Sequence, residues 1–190
     1  SMLSLLLVPL SISLLAQPQV QVPDIGSLYL LRAGKTGMQN ALWGENAKEL
    51  QLGMGRNTVT VADIKGPGVI TMIHFAMPAT LKMARNVVLR IYWDGEKAPS
   101  VECPLVDFFC DPNGTQETVA GLLANKRRGW NCYFPMPFRK AAKVEVASDG
   151  KAPTTVYSYV MYQKVAKLPK DKDENIGYFH SQFRQQSLLL

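Results

Sequence analysis

Five acidic residues crowd into the stretch 94–111 of "LRIYWDGEKAPSVECPLVDFFCDPNG": Asp94, Glu96, Glu102, Asp107 and Asp111. Two carboxyl groups about 5–5.5 Å apart, one protonated and one ionised, are what a retaining glycosidase needs. Most of the five have simpler roles. Asp94 precedes Gly95 and Asp111 precedes Pro112-Asn113-Gly114, both turn formers. Glu96 reads as a solvated loop residue and Glu102 as the outward residue of a strand. Asp107 differs, because it lies between Val106 and Phe108, where an ionised carboxylate needs partners or a ligand. Two readings stay open for it: contact with a sugar, or a satisfied structural aspartate at the "FFCDPNG" turn.

Aromatic residues supply the second half of a sugar site. Trp43, Trp93, Phe109, Trp130 and Tyr133 offer flat apolar faces of the kind that stack on amphipathic rings. Trp93 has the parity of a core residue. Phe109 and Trp130 sit beside polar Asp107 and Asn131, so the candidate substrate-binding set is Asp107, Phe109, Trp130 and Asn131. Other chemistry finds little purchase. His74 and His180 lack metal-ligand spacing, and His74 reads as a hydrogen-bonded sheet residue. No GxSxG elbow is present. Cys103, Cys110 and Cys132 form no CxxC pair, so neither a zinc site nor a closed disulfide framework is expected. Cys103 and Cys110 flank an apolar run and read as buried thiols, although one pair would be free to bridge in an exported protein. No metal or cofactor is implied.

The elements that must position these residues follow a period of two. In "VVLRIYW", Val87, Leu89, Ile91 and Trp93 point one way and Val88, Arg90 and Tyr92 the other. "TVTVAD" alternates Val59 and Val61 with small residues. "VITMIHFA" places Val69, Ile73 and Phe75 opposite Met72 and His74, and "KVEV" and "VYSYVMY" repeat the habit. Such alternation, rich in β-branched and aromatic residues, marks half-buried strands. Gly66-Pro67-Gly68, Asp94-Gly95, Asp111-Pro112-Asn113-Gly114 and Asp149-Gly150 separate them as turns. A strand from Ser100 to about Leu105 should send Val101, Cys103 and Leu105 to the core. Only "NALWGENAKEL" and "QETVAGLLAN" read as helices. The fold expected is all-β, an antiparallel β-sandwich built as a single jelly roll with one or two short helices.

The chain has 190 residues and a net charge of +6, concentrated in residues 121–190, where "NKRRGWN", "FRKAAK" and the Lys164–Lys172 stretch lie. With no nucleic-acid motif beside it, this excess reads as a solvated face, so no nucleic-acid partner is expected. Leu3 to Ala16 is apolar but short of the roughly 20 residues that span a bilayer. It suits the hydrophobic part of a signal peptide, although the first basic residue is Arg32. Ser1 ahead of Met2 has the look of an expression-derived addition. The expected organisation is a signal-like apolar segment over 1–16 and an extension with a short helix over 17–57. A jelly roll over 58–186 follows, with the start of a link over 187–190. Export or a periplasmic location is favoured over the cytoplasm.

Four strings occur in the same order in glycoside hydrolase family 172, a bacterial family: "DIKGPGVITMIHFAMP", "RNVVLRIYWDGEKAPSVECPLVDFFCDPNG", "RRGWNCYFPMPFRKAAKVEV" and "YSYVMYQKV…GYFHSQFRQQ". The chain resembles that family over roughly 59–186. The resemblance implies the first of two jelly rolls, a retaining mechanism on α-furanosides such as difructose anhydrides, and assembly into trimers or larger rings. It also implies that the acid/base and nucleophile glutamates lie in motifs of the second jelly roll. Those motifs have no counterpart here, so no catalytic residue is assigned. The partners implied are a carbohydrate ligand and either further copies of the chain or a partner jelly roll. The alternative is a stand-alone, non-catalytic carbohydrate-binding or assembly module.

Overall fold

Alternation carries directly into packing at the strand that heads the acidic stretch. In a computed structural model of the chain, Val87, Leu89, Ile91 and Trp93 are wholly buried while Val88, Arg90 and Tyr92 stay half-buried on the other side. Each such side chain contributes about 1.5–3 kcal/mol on burial. The structure describes residues 34–40, 50–52, 58–76, 85–112, 118–148, 154–168 and 176–184. All of them lie in the second of two compact units, 1–32 and 33–190. The apolar segment 1–16, the link 187–190 and Trp43 lie outside the described residues.

The strands in chain order are β1 (Lys35–Asn40), β2 (Leu50–Leu52), β3 (Thr58–Lys65), β4 (Gly68–Ala76), β5 (Val87–Trp93) and β6 (Val101–Pro104). A single helical turn, α1 (Leu105–Phe108), is followed by β7 (Val119–Ala120), β8 (Ala124–Lys126), β9 (Trp130–Cys132) and β10 (Met136–Phe138). The remaining strands are β11 (Ala141–Ser148), β12 (Thr154–Lys164) and β13 (Ser181–Gln182). The larger sheet runs β1-β12-β4-β9-β8-β7, with β10 on β4 and β2 on β12. The smaller runs β13-β6-β5-β11-β3. Every described pairing is antiparallel except β13 with β6. This is the expected antiparallel jelly-roll sandwich, and its core of Ile64, Ile73, Phe75, Leu89, Val144 and Val160 lies between the two sheets.

Two bulges adjust the alternation. In β4, Met161 pairs with Met72 but Tyr162 pairs with Ile70, so Thr71 is an extra residue and parity flips. Ile70, not Val69, therefore joins Ile73 and Phe75 in the core, correcting the face assigned to Val69. In β3 the register skips Val61, which lets Val61 and Ala62 both turn inward. An extra residue bends and twists the strand locally, as closing a sandwich requires.

The helix expected over "QETVAGLLAN" is a β-hairpin instead. Val119 and Ala120 pair with Lys126 and Asn125, and the Gly121 N–H donates to the Ala124 carbonyl at 2.9 Å. Cross-strand pairing of β8 with β9 supplies hydrogen bonds and burial that override a helix weakened by Gly121 at its centre. The other expected helix begins and ends in strands, at Asn40 of β1 and Leu50 of β2, with 41–49 outside the described residues. The strand from Ser100 stops at Pro104, and Val101, Cys103 and Leu105 are buried as expected.

Candidate functional site

Asp107 lies on α1, a turn that forms where β6 runs out of partners at Pro104. Its carboxylate meets Arg85 Nη1 at 2.9 Å, and the same nitrogen donates to the Pro112 carbonyl. The Arg85 guanidinium also sits over the ring of Phe183, 5.5 Å from its centre. Burial pushes the Asp107 carboxyl above its ordinary value; Arg85 pulls it back and the charge of Asp111 adds to the rise. Asp107 is thus a guarded carboxylate at the edge of the fold.

Asp111 is guarded more completely. Its carboxylate meets Lys126 Nζ at 2.7 Å, and the two side chains are only 4% and 3% exposed. The Lys126 ammonium lies 5.5 Å from the centre of the Trp130 ring. Removing two such charges from water costs several kcal/mol each, offset by their attraction only if the contact is kept tight. The backbone does so: the N–H groups of Phe109 and Asp111 both donate to the Val106 carbonyl, and that of Cys110 to Asp107. Cys110 takes φ 63°, the left-handed conformation that lets the chain reverse there. The reversal leaves Cys110 exposed, correcting its expected burial, while Cys103 and Cys132 are buried; all three are free thiols.

Asp94 serves a third anchoring role. At the Asp94-Gly95 turn, with φ of 54° and 87°, its Oδ1 accepts the N–H groups of Arg139 (3.0 Å), Lys140 (2.6 Å) and Ala141 (3.0 Å). Its Oδ2 accepts the Tyr178 hydroxyl. Burial alone would raise this carboxyl, but the hydrogen bonds from Tyr178, Lys140, Ala141 and Arg139 outweigh it and hold it below its usual value. The segment 178–183 is strapped down beside it. Trp93 Nε1 donates to the Phe179 carbonyl at 2.8 Å, and the Phe183 N–H donates to the Glu102 carbonyl at 2.9 Å.

The four candidate sugar-contacting residues do not converge. Phe109 is wholly buried, edge-on to Phe75 and tilted against Trp130, which is itself buried. With Asp107 they form one cluster around α1. Asn131, next in sequence to Trp130, points the opposite way because β9 alternates. Its Nδ2 donates to Asn125 Oδ1 at 2.7 Å, so its Oδ1 accepts Nδ1–H of His74, also at 2.7 Å. His74 stacks on Tyr159 at 4.4 Å between ring centres, and a Cβ on Gly129 would stand 2.7 Å from its Cε1. Trp93 is core, and Tyr133 is exposed. A separate cleft of about 550 Å³ opens between β1 and β3, lined by Met38, Gln39, Thr60 and Asp63.

Sequence reasoning missed Arg85, Lys126 and Tyr178. Lys126 stood among basic residues read as a solvated face; Arg127 and Arg128 are exposed as expected, but Lys126 is buried. The available signal was parity, since Ala124 and Lys126 fall on one side of a strand and Asn125 on the other.

A family model described as GH172 domain-like matches residues 44–161. The chain belongs to the GH172 domain-like family. The match contains the Arg85–Asp107 and Lys126–Asp111 pairs and the His74–Asn131–Asn125 chain, while the strap at 176–184 lies beyond it. Among curated proteins, none matches the chain. No helix among the described residues is long and apolar enough to cross a membrane. Nor do three metal-ligating side chains gather among them.

Proposed function

We propose that this chain is the sugar-facing but non-catalytic jelly roll of a retaining α-furanosidase of the GH172 type, with acid/base and nucleophile supplied by a partner lobe. The observation that carries this reading is the state of the carboxylates. Asp94 is held by three backbone N–H groups and a phenol, Asp107 by Arg85, and Asp111 by Lys126. A general acid needs a proton to give, and a nucleophile needs an uncommitted oxygen; these groups are committed to holding loops. Asp107 keeps a partly exposed edge from which it would orient a sugar hydroxyl, whereas Phe109 and Trp130 are buried and Asn131 lies on the opposite side of β9.

A stand-alone binding or assembly module is favoured by one different feature. Leu122, at the tip between β7 and β8, is 91% exposed, with Tyr133 and Phe134 also exposed. Such a patch usually meets a partner.

The test uses aryl α-fructofuranosides and α-arabinofuranosides with the whole chain. The expected result is binding by calorimetry, weakened about tenfold or more by Asp107→Asn, with no release of aryl alcohol. Steady turnover abolished by Asp107→Asn overturns the non-catalytic reading; absence of binding at millimolar sugar overturns the sugar-facing one.

A further inference from the structure

Exposed apolar residues gather at one end of the sandwich. Leu122 and Leu123 form the tip between β7 and β8 and are 91% and 39% exposed. The Tyr133 N–H donates to the Leu123 carbonyl at 2.8 Å, which sets exposed Tyr133 and Phe134 beside that tip. Phe134 then meets the ring of Phe179 at 5.5 Å between centres, carrying the strip onto the strap. Charge of one sign flanks this strip. On one side Arg127 and Arg128 are exposed in the turn after β8, a three-residue strand that sets them about 10 Å from Leu123. On the other, Tyr178 lies under the Arg139 guanidinium, 5.1 Å from its ring centre, with Lys140 exposed next to it. The segments 118–144 and 176–184 contain no Asp or Glu. Asp94 and Asp111, which reach Tyr178 and Lys126, are committed to the anchors described above.

We propose that this end of the sandwich docks on an anionic phospholipid bilayer, with Leu122 and Leu123 entering the acyl boundary and the basic pairs meeting headgroup phosphates. Three observations point to lipid. The tip is aliphatic and offers a ligand no side-chain hydrogen bond, so it suits hydrocarbon and not a sugar, which needs placed polar groups. An apolar strip bordered by cations on two sides complements a surface that is anionic at its rim and apolar beneath. Tyr133 and Phe134, between the tip and the strap, include the tyrosine type that collects at membrane–water boundaries. The spacing agrees: burial of about 5–10 Å from the tip brings Arg127 and Arg128, about 10 Å behind it, to the phosphates. Apolar contact and basic charge are the two signals that together hold a protein at a bilayer without spanning it. The inference rests on this end of the fold and not on the carbohydrate reading.

Sedimentation of the whole chain with vesicles of phosphatidylglycerol or of phosphatidylcholine tests it. Binding to the first is expected, at least about tenfold tighter than to the second, and weakening as salt rises from about 0.05 to about 0.5 M. Leu122→Asp, at a side chain open to water and so harmless to the fold, should weaken it about 100-fold. Arg127→Gln with Arg128→Gln should weaken it about 25-fold, fivefold for each charge lost near the surface. Lys65→Gln, on the outward side of the smaller sheet, should change it less than about twofold. With Leu122→Trp the added emission should shift to the blue on binding and be quenched by lipids brominated in their acyl chains. No binding to phosphatidylglycerol vesicles, binding indifferent to Leu122→Asp, or equal binding to both lipids overturns the proposal. So does self-association without lipid that Leu122→Asp abolishes, or a bound Leu122→Trp chain that brominated lipid leaves unquenched, since either gives the strip to a protein partner.

Discussion

Replacing Asp94 by Asn removes a charge and little else. Asn tolerates the φ of 54° that the turn requires, and its carbonyl can still face the N–H groups of Arg139, Lys140 and Ala141. What is lost is charge assistance in four hydrogen bonds, with the Tyr178 hydroxyl now facing an amide nitrogen. A bond to a charged acceptor contributes about 1.5–3 kcal/mol against about 0.5–1.5 for a neutral one. Three of the four donors share Oδ1, so the losses do not add fully and about 2–3 kcal/mol is expected. In a chain of this size that lowers Tm by about 5–10 °C. The pH dependence separates the charge from the shape. Because the folded carboxyl lies below its ordinary value, its stabilisation is complete above the unfolded value of about 3.9 and fades as pH falls through the folded one. Urea unfolding at pH 7 should therefore show the full penalty of Asp94→Asn, and at pH 3 a smaller one. A penalty below about 0.5 kcal/mol at pH 7, or one equal at both pH values, would refute the assignment of Asp94 as a charged anchor.

Two further outcomes follow from buried groups. Lys126→Ala should cost about 3–5 kcal/mol in urea unfolding by stranding the Asp111 carboxylate, whereas Lys126→Met with Asp111→Leu should recover most of it; equal losses in both would contradict a buried ion pair. A thiol reagent at pH 8 should modify exposed Cys110 first and reach Cys103 and Cys132 only on unfolding, since burial raises both thiols, that of Cys132 to about 11; three equal rates would count against this core.

Strands β5 and β6 of the smaller sheet were legible because their inward residues alternate without interruption. The run from Val87 to Trp93 announces its inward face residue by residue, and Val101, Cys103 and Leu105 do the same. Alternation ceased to be a guide at Thr71 and Val61, where an extra residue flips parity, because a bulge is selected by the twist of the closed sheet and leaves no local mark. "QETVAGLLAN" misled for a related reason: its helix-forming residues are outweighed by a partner strand that begins at Trp130.

The candidate site divides along the same line. Asp94-Gly95 as a turn and Asp107 as a carboxylate needing a partner are properties of adjacent residues, so the sequence alone determined them, together with the sheet-forming pattern and the family resemblance. Which donors answer those carboxylates was decided only by tertiary structure. Residues 139–141 and Tyr178 reach Asp94, Arg85 reaches Asp107, and Lys126 leaves its exposed basic neighbours to reach Asp111. The physical reason is range. Turn chemistry and burial parity act over a few residues, whereas a buried charge must find its partner wherever folding brings one.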